Sequence, residues 1–413
     1  KTLIVGIDVG SETHYARAFD WRNYEYTKKP LEFSNSEAGF QIFKAWMEDI
    51  AEKYGKTAVI PGMEPTGHYW FALGKFLQDN GMKPVHVNPH HVKKSKELDD
   101  NNPNKNDRKD PKTIAALVNE GRFSYPYMPV GIYAEIRSLS NLRFQTQEEL
   151  TRIKNRLARW FSIYFPEYKD VYGDLKAVSG RMVLKAAPLP EDIIRLGTEG
   201  VNRIWRDAKL RGAGMKRAKT LVSAAEHSVG SKEAPEAARI ELRNLLNDME
   251  VYAARLEELL HGIGEKLKGI PYVDKLMGIK GIGLATVSGF IAEVGDIGRF
   301  DNPKQLQKLA GYAIVSNDSG KHNGESRISY RGRKRLRYVL YEAAISLIGK
   351  NREFKEIHEY YRAREKNPLK KMQSVIAVAC KIIRVFYTIL TKGVDYDGNR
   401  LLGDIRRPQV QAA

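Results

Sequence analysis

Four carboxylates carry the chemistry that this sequence offers most clearly. Asp8 ends the apolar run that begins at Leu3 and is followed by Val9-Gly10-Ser11. Glu64 ends a second apolar run, in Met63-Glu64-Pro65-Thr66-Gly67. A carboxylate at the C-terminal end of a buried strand points into the crevice where α/β sheets bind ligands. Asp107 and Asp110 stand three apart at the start of a helical pattern, so both can face one way. Carboxylates converging on one sheet edge repel each other unless cations neutralise them. Hard divalent ions suit such oxygen ligands, magnesium (or manganese) above all, because substrate phosphates can complete the shell. Two such ions can clamp the attacking and leaving oxygens of a phosphodiester. Each acid also has an ordinary reading, Asp107 as a helix N-cap and Glu64 as a solvated strand end. Asp8, between Ile7 and Val9, resists that reading, because an unpaired buried charge is costly.

The elements that must position these acids read as an α/β layer. Strands are expected over Leu3–Asp8, His14–Phe19, Thr57–Met63 and Pro84–Val87. Ser34-Asn35-Ser36-Glu37 offers an N-cap to an amphipathic helix running to about Ala51. Further helices are expected over about Thr66–Asn80, with Gly81 as its stop, and over Asp110–Asn119. The Asn-rich stretch from Asp99 to Lys105 reads as a loop. His86, His90 and His91, beside Lys93 and Lys94, read as a basic polar loop rather than a metal site. Strands alternating with helices in this order predict an α/β layer fold.

The middle of the chain is helical. Ile153, Leu157, Trp160 and Tyr164 step by three and four, as do Leu245, Met249, Tyr252, Leu256, Leu259 and Ile263. These heptad-like stripes predict either a coiled-coil arm between subunits or a helix pair within one chain. Pro188 and Pro190 break the mixed segment between them, and Met372–Thr388 reads as a buried helix.

A second set of chemistry-bearing residues lies near the C-terminal end. Gly278-Ile279-Lys280-Gly281-Ile282-Gly283 reads as a helix-hairpin-helix turn or a plain αα-hairpin. Gly281 and Gly283 would let backbone N–H groups approach a phosphate, with Ala285, Val287 and Phe290 as the packing face. Ser319-Gly320 reads as a turn or as a nucleophile with a flexible neighbour, and Ser316 is the nearest rival. A serine hydroxyl is weak alone and needs charge neutralisation around the phosphate it attacks. Lys321, Arg327, Arg331, Arg333, Lys334, Arg335 and Arg337 supply cations nearby, with Glu325 opposing them. Basic residues also alternate with aromatics at Arg152–Phe161 and Tyr360–Arg364, a mixture that suits nucleic acid or a solvated helix face.

Bulk properties point the same way. The 413 residues, 42% of them hydrophobic, predict two or three folded domains. The 68 Lys and Arg against 50 Asp and Glu leave a net charge of +18, which favours a polyanionic partner. No uninterrupted apolar run approaches the ~20 residues of a spanning helix, so no membrane partner is expected. The N-terminal residues run straight into a strand pattern, leaving no room for a signal peptide, and Cys380 is the only cysteine. A single cysteine excludes an intramolecular disulfide and a thiolate-cluster zinc site, and a cytoplasmic, nucleoid-associated location follows.

The order Gly6-Ile7-Asp8-Val9-Gly10, Glu64-Pro65-Thr66-Gly67-His68-Tyr69-Trp70, Val87-Asn88-Pro89 and Lys105-Asn106-Asp107-Arg108-Lys109-Asp110 resembles one family. It is the DEDD-type insertion-sequence transposases, also called bridge-RNA-guided recombinases. Asp8, Glu64, Asp107 and Asp110 fall on that family's four acidic positions. The sequence departs from the pattern at Asn106, where the family often has Thr, and at Pro111, where it often has Ala. The stretch from Gly311-Tyr312 through Asp318-Ser319-Gly320 and Arg327-Ile328-Ser329-Tyr330-Arg331-Gly332 to Leu336-Arg337 resembles that family's C-terminal domain, with Ser319 at its nucleophile position.

The resemblance implies a RuvC-like (RNase H-like) α/β domain at residues 1–125, a helical coiled-coil region at 126–268, and a mainly α-helical domain at 269–413. It implies donor and target DNA, a structured bridge RNA, a homo-oligomer (dimer or tetramer), and a phosphoserine link formed where the acids of one subunit meet the serine of another. Three other readings compete. A metal-only nuclease of the Holliday-junction type would leave Ser319 structural. An actin-like or sugar-kinase ATPase would use Asp8-Val9-Gly10-Ser11 as a phosphate loop, but its required second loop is spoiled where Arg299 follows Asp296-Ile297-Gly298. A non-catalytic RNA-binding protein would not need the four acids.

Overall fold

Leu3, Val5, Ile7 and Val9 are buried on one side of the first strand and Ile4 on the other, so the run is apolar without alternation, as in a sheet covered on both faces. The structure is a computed structural model that describes residues 1–27, 29–99, 110–173, 177–315 and 327–406. Two units divide the chain, Lys1–Met128 and Pro129–Ala413.

The first unit runs β1 (Thr2–Val9), β2 (Thr13–Phe19), β3 (Leu31–Ser34), α1 (Glu37–Lys53), β4 (Ala58–Met63), α2 (Trp70–Asp79), β5 (Val85–Val87), α3 (Pro89–Asp99), α4 (Asp110–Asn119) and β6 (Phe123–Ser124). The sheet order is β3-β2-β1-β4-β5-β6. β1, β4 and β5 run parallel, and β2, β3 and β6 are antiparallel to their neighbours. On one face Phe40, Phe43 and Met47 of α1 pack with Leu73 and Leu77 of α2. On the other, Ile114, Leu117 and Val118 of α4 pack on Ile4, Val85 and Val87. The expected α/β layer is present, with three differences. α2 begins at Trp70 rather than Thr66, because the chain turns at Pro65 and Gly67 takes a φ of +55°. β3 and β6, four and two residues long, were too short to show a pattern. His90 and His91 lie in the first turn of α3, not in a loop.

The second unit is helical: α5 (Gly131–Tyr164), α6 (Tyr168–Tyr172), α7 (Val178–Ala186), α8 (Pro190–Asp207), α9 (Met215–Glu226), α10 (Pro235–Leu267), α11 (Val273–Met277), α12 (Leu284–Val294) and α13 (Pro303–Leu309). A short antiparallel pair follows, β7 (Ile314–Val315) with β8 (Arg327–Ile328), and then α14 (Lys334–Lys350), α15 (Arg352–Ala363), α16 (Lys371–Lys392) and α17 (Gly398–Arg406).

The heptad stripes meet within this one chain. Ile153, Leu157 and Trp160 of α5 share a core with Leu242, Leu245 and Met249 of α10, and Trp160 Nε1 donates to the Ala238 carbonyl at 3.0 Å. Of the positions expected at an intersubunit seam, Leu157 is fully buried here, whereas Leu256 and Leu259 are only half-buried. From Ile153 to Trp160 and from Leu242 to Met249, the two stripes share one core within the chain. A second core joins Ile136 of α5 and Ile263 of α10 to α12, α14 and α16. α16 is long and apolar enough to cross a membrane by length and composition, but Val378, Ile382, Ile383 and Phe386 lie in that core.

Candidate active site

Asp8 and Glu64 are placed by the register of two parallel strands. Ile7 pairs with Met63, and Asp8 and Glu64 are the residues that follow on these two neighbouring chains, whose strands lie about 4.8 Å apart. Both lie at strand C-terminal ends. Leu3, Val5 and Ile7 face α1 and α2 while Ile4 faces α4, so alternation places Asp8 on the α4 face. Met63 and Ile60 make the same division on β4. Glu64 follows the last residue of β4, and Pro65 after it disfavours a helical backbone there. Asp8 and Glu64 are each half-buried, so Asp8 is less enclosed than its apolar neighbours imply.

Asp110 is the first residue of α4 and is 8% exposed. The helix N-terminus favours its negative charge. Two glycines bring that turn close to the strands. Gly6 and Gly62 are register partners. A Cβ on Gly6 would lie 1.8 Å from the Pro111 carbonyl oxygen and 2.8 Å from the Ala115 nitrogen. One on Gly62 would lie 2.4 Å from Val118 Cγ2. The paired glycines form a shallow trough that seats α4, with Pro111, the neighbour of Asp110, against the strand two residues before Asp8. Asp8 and Glu64 thus stand at the ends of neighbouring strands, and Asp110 opens the helix that packs against Gly6 of the first of them. Asp107 lies outside the described residues. Among the described residues, no three His, Cys, Asp or Glu side chains form a group that could hold a metal ion by itself.

The turn beyond Asp8 is held by His14, which sequence reasoning treated only as a strand residue. The Gly10 N–H donates to His14 Nδ1 at 3.2 Å, and the ring packs against Phe33 and Phe40. Burial lowers its pKa, so the imidazole is neutral and can accept. His86 stands edge-on to Trp70, with centroids 4.2 Å apart, and burial pushes its pKa down to about 4. It is a neutral strand residue of the sheet interior rather than part of a basic loop.

In the second unit α11 and α12 form a helical hairpin. Gly281 has a φ of +103°, and Ser346 Oγ of α14 donates to its carbonyl at 2.7 Å. Gly283 is the N-cap of α12 and is exposed. Val287 and Phe290 are buried as expected, whereas Ala285 is exposed. Ser316, Ser319, Lys321 and Glu325 lie outside the described residues, between β7 and β8.

The expected cations divide into two groups. Arg327, Arg331 and Lys334 are exposed. Arg333 pairs with the buried carboxylate of Glu293 at 3.3 Å, and Arg335 contacts Asn141 and stacks over Phe144 with its guanidinium 5.1 Å from the ring. Arg337 donates to the Ala310 and Tyr330 carbonyls at 3.0 and 3.3 Å. These last contacts pin the base of α14, and none of the partners was visible as a pattern in sequence. α14 has no acid in its first turn and opens on Lys334-Arg335. That is the unfavourable end for cations, so a bound anion would relieve it.

Comparison with known proteins gives consistent results. The DEDD transposase profile of IS110 is similar to residues 5–166, and the profile described as the transposase IS116/IS110/IS902 family to residues 273–362. The chain is 24% identical over 291 residues to the uncharacterized 44.8 kDa protein of insertion element IS116 from Streptomyces clavuligerus, covering 69% of this chain and 71% of that one. It is 22% identical over 287 residues to the uncharacterized 42 kDa protein of insertion element IS900 from Mycobacterium paratuberculosis, covering 68% and 71%. Among solved structures, T. thermophilus RuvC in complex with Holliday junction substrate matches 30% of this chain and 96% of its own at 13% identity. The TM-score there is 0.23, a likeness too slight to bear weight.

Proposed function

We propose that this chain, which belongs to the IS116/IS110/IS902 family of insertion-sequence transposases, cuts and rejoins DNA with Asp8, Glu64, Asp107, Asp110 and Ser319 as its catalytic residues. What supports this reading is that Asp8 and Glu64 follow the paired residues Ile7 and Met63 at the C-terminal ends of two parallel strands, and that the first turn of α4, which begins at Asp110, packs against Gly6 of the same strand as Asp8. The chemistry of the donor set fits a hard divalent ion. Magnesium uses one or two carboxylates and leaves the remaining positions to water and substrate phosphate, so the two strand-end acids suffice as a start, and Asp110 and Asp107 would complete the set. When bound, magnesium or manganese supplies charge neutralisation at the scissile phosphate.

Ser319 is the nucleophile in this proposal. Its hydroxyl loses a proton as Oγ bonds to phosphorus, and one bond from phosphorus to a sugar oxygen breaks. The departing sugar oxygen takes up a proton. The phosphodiester is kept as a phosphoserine link, and attack by another strand's sugar hydroxyl reverses the step and frees the serine. Exposed Arg327, Arg331 and Lys334 flank the segment and attract the DNA backbone, with Lys321 in it, while Gly281 and Gly283 offer N–H groups to phosphate. A net charge of +18 suits DNA together with a structured guide RNA. A homo-oligomer would bring the acids and the serine of different subunits to one exchange.

Metal titration followed by thermal unfolding tests the acid site. Manganese at a hundred times its Kd should stabilise the wild type by about 2.7 kcal/mol. Asp8→Asn, which keeps the shape and removes a charge, should unfold no earlier than wild type in EDTA and should lose that stabilisation. Equal stabilisation of both proteins by manganese would place the metal elsewhere and overturn the assignment.

A further inference from the structure

The turn that leaves β2, residues 20–26, presents aromatic rings to solvent in the first unit. Trp21 and Tyr24 are 68% and 62% exposed, and Tyr54, which follows α1, is 41% exposed. The rings of Tyr24 and Tyr26 lie 5.7 Å apart, and those of Tyr26 and Tyr54 lie 4.2 Å apart. Cations stand over these rings. The Arg22 guanidinium is 5.8 Å from the Trp21 centroid, Lys56 Nζ is 5.1 Å from that of Tyr26, and Lys53 Nζ is 5.6 Å from that of Tyr54. Exposed rings interleaved with cations describe a surface for flat π-faces carried on an anionic chain.

The turn is fixed from within and from behind. Asp20 Oδ1 accepts from the Arg22 and Tyr24 N–H groups at 2.8 and 2.9 Å, and the Asn23 N–H donates to the Asp20 carbonyl at 3.0 Å. Asn119, the last residue of α4, donates through Nδ2 to the Trp21 carbonyl at 2.6 Å and to Asn23 Oδ1 at 3.1 Å. Of the two acids in the turn, Asp20 is buried in these hydrogen bonds and Glu25 pairs with Arg17. Rings set in advance lose little freedom when a guest binds. The turn also stands apart from the acid site. Phe19 pairs with Ile4 and Ala58 with Thr2, whereas Asp8 pairs with Tyr15. The rings therefore lie off the N-terminal ends of β1 and β4, and the stretch of β1 from Ile4 to Asp8 alone spans about 13 Å.

We propose that this platform binds an unpaired loop of a folded RNA, with bases stacked on Trp21 and Tyr24 and phosphates held by Lys53 and Lys56. Paired bases hide their faces from such rings. DNA under cleavage is unpaired near the cut, which the acids hold at the other end of the strands. An RNA loop offers splayed bases and phosphates wherever it is held, and aromatic side chains are its usual stacking partners. The inference rests on the guide-RNA part of the reading above, and not on the acids or Ser319.

The test uses the full-length protein and three probes: an RNA hairpin with an unpaired loop, a DNA hairpin of the same sequence, and a fully paired RNA duplex. Wild type should bind the RNA hairpin about tenfold more tightly than either of the others. Binding should quench tryptophan fluorescence, because Trp21 is exposed while the other tryptophans are buried or half-buried. Trp21→Ala should weaken hairpin binding about tenfold and remove the quenching. Trp21→Phe should restore the affinity but not the quenching. Lys53→Gln should reduce the salt dependence by about one phosphate contact. All three variants should keep the wild-type unfolding temperature and its stabilisation by manganese, since these side chains are exposed and remote from the acids. Undiminished hairpin binding by Trp21→Ala, or duplex RNA bound as tightly as the hairpin, would overturn the platform alone. Tighter binding of the DNA hairpin would overturn its assignment to RNA. Failure of wild type to bind any of the three would overturn the platform and the guide-RNA reading together.

Discussion

Asp8→Asn and Glu64→Gln should each slow DNA strand cleavage by about 10³-fold, with the folded state intact. The argument is electrostatic. A divalent ion at the scissile phosphate contributes several kcal/mol of transition-state stabilisation, and about 4 kcal/mol corresponds to about 10³ in rate. Each amide keeps the size of its acid but removes the charge that holds the ion. Asp8 and Glu64 directly follow the register pair Ile7–Met63, and like charges at two neighbouring strand ends weigh against the metal-free fold. Removing one charge relieves it, and neither variant should unfold earlier in EDTA. Single-turnover cleavage of the element's own DNA, measured beside thermal unfolding, checks both halves. Cleavage within tenfold of wild type in either variant would show that these acids are not the cutting site.

The second large effect should come from a residue with no reactive group. Gly6→Ala puts a methyl group 1.8 Å from the Pro111 carbonyl oxygen. Ordinary contact needs about 3.4 Å or more, and the atoms it meets are helix backbone, which cannot swing aside as a side chain would. α4 must therefore move as a body, taking Asp110 away from Asp8 and Glu64. Overpacking of this kind costs about 1–3 kcal/mol, and a 1 Å misplacement at a reacting centre costs about 10²-fold in rate. The appropriate control is Gly262→Ala in α10, where an added Cβ meets nothing within 4 Å. That change should be neutral or stabilise by up to about 1 kcal/mol. Thermal unfolding and cleavage of the two variants give the comparison, and wild-type activity in Gly6→Ala would show that the seating of α4 is irrelevant to the chemistry.

The contrast between Asp8 and Gly6 shows what the sequence made legible. Asp8 stands out because a charge interrupts a buried apolar run, and Glu64 does so for the same reason. α1 was legible from Ser36, whose hydroxyl accepts from the Gly39 N–H at 3.2 Å, and from its apolar stripe. Gly6 and Gly62 carry no such signal, because their role exists only once β1 and β4 are in register and α4 lies across them. α3 was missed because its stretch shows no apolar stripe, and Val92 is its one residue in the sheet's core among the described side chains. The long stripes on α5 and α10 were legible as helices, yet their spacing cannot say whether the opposing surface belongs to the same chain. The cations before and within α14 read as a uniform basic run, whereas the structure separates exposed Arg327, Arg331 and Lys334 from Arg333, Arg335 and Arg337, which serve protein contacts.

The account joins an acid site to a serine in one strand exchange, and trapping the covalent intermediate tests that claim most directly. Reactions of the wild type with end-labelled DNA, stopped in denaturant, should yield a protein–DNA adduct on a denaturing gel. Mass spectrometry of the DNA-linked peptide should place the link at Ser319. Ser319→Ala should still bind the DNA but give no adduct, Ser316→Ala should give a normal one, and Asp8→Asn should give at most about 10⁻³ of the wild-type rate of formation. Cleavage that proceeds in Ser319→Ala with both DNA ends free of protein, or an adduct mapped to any other residue, would contradict the account.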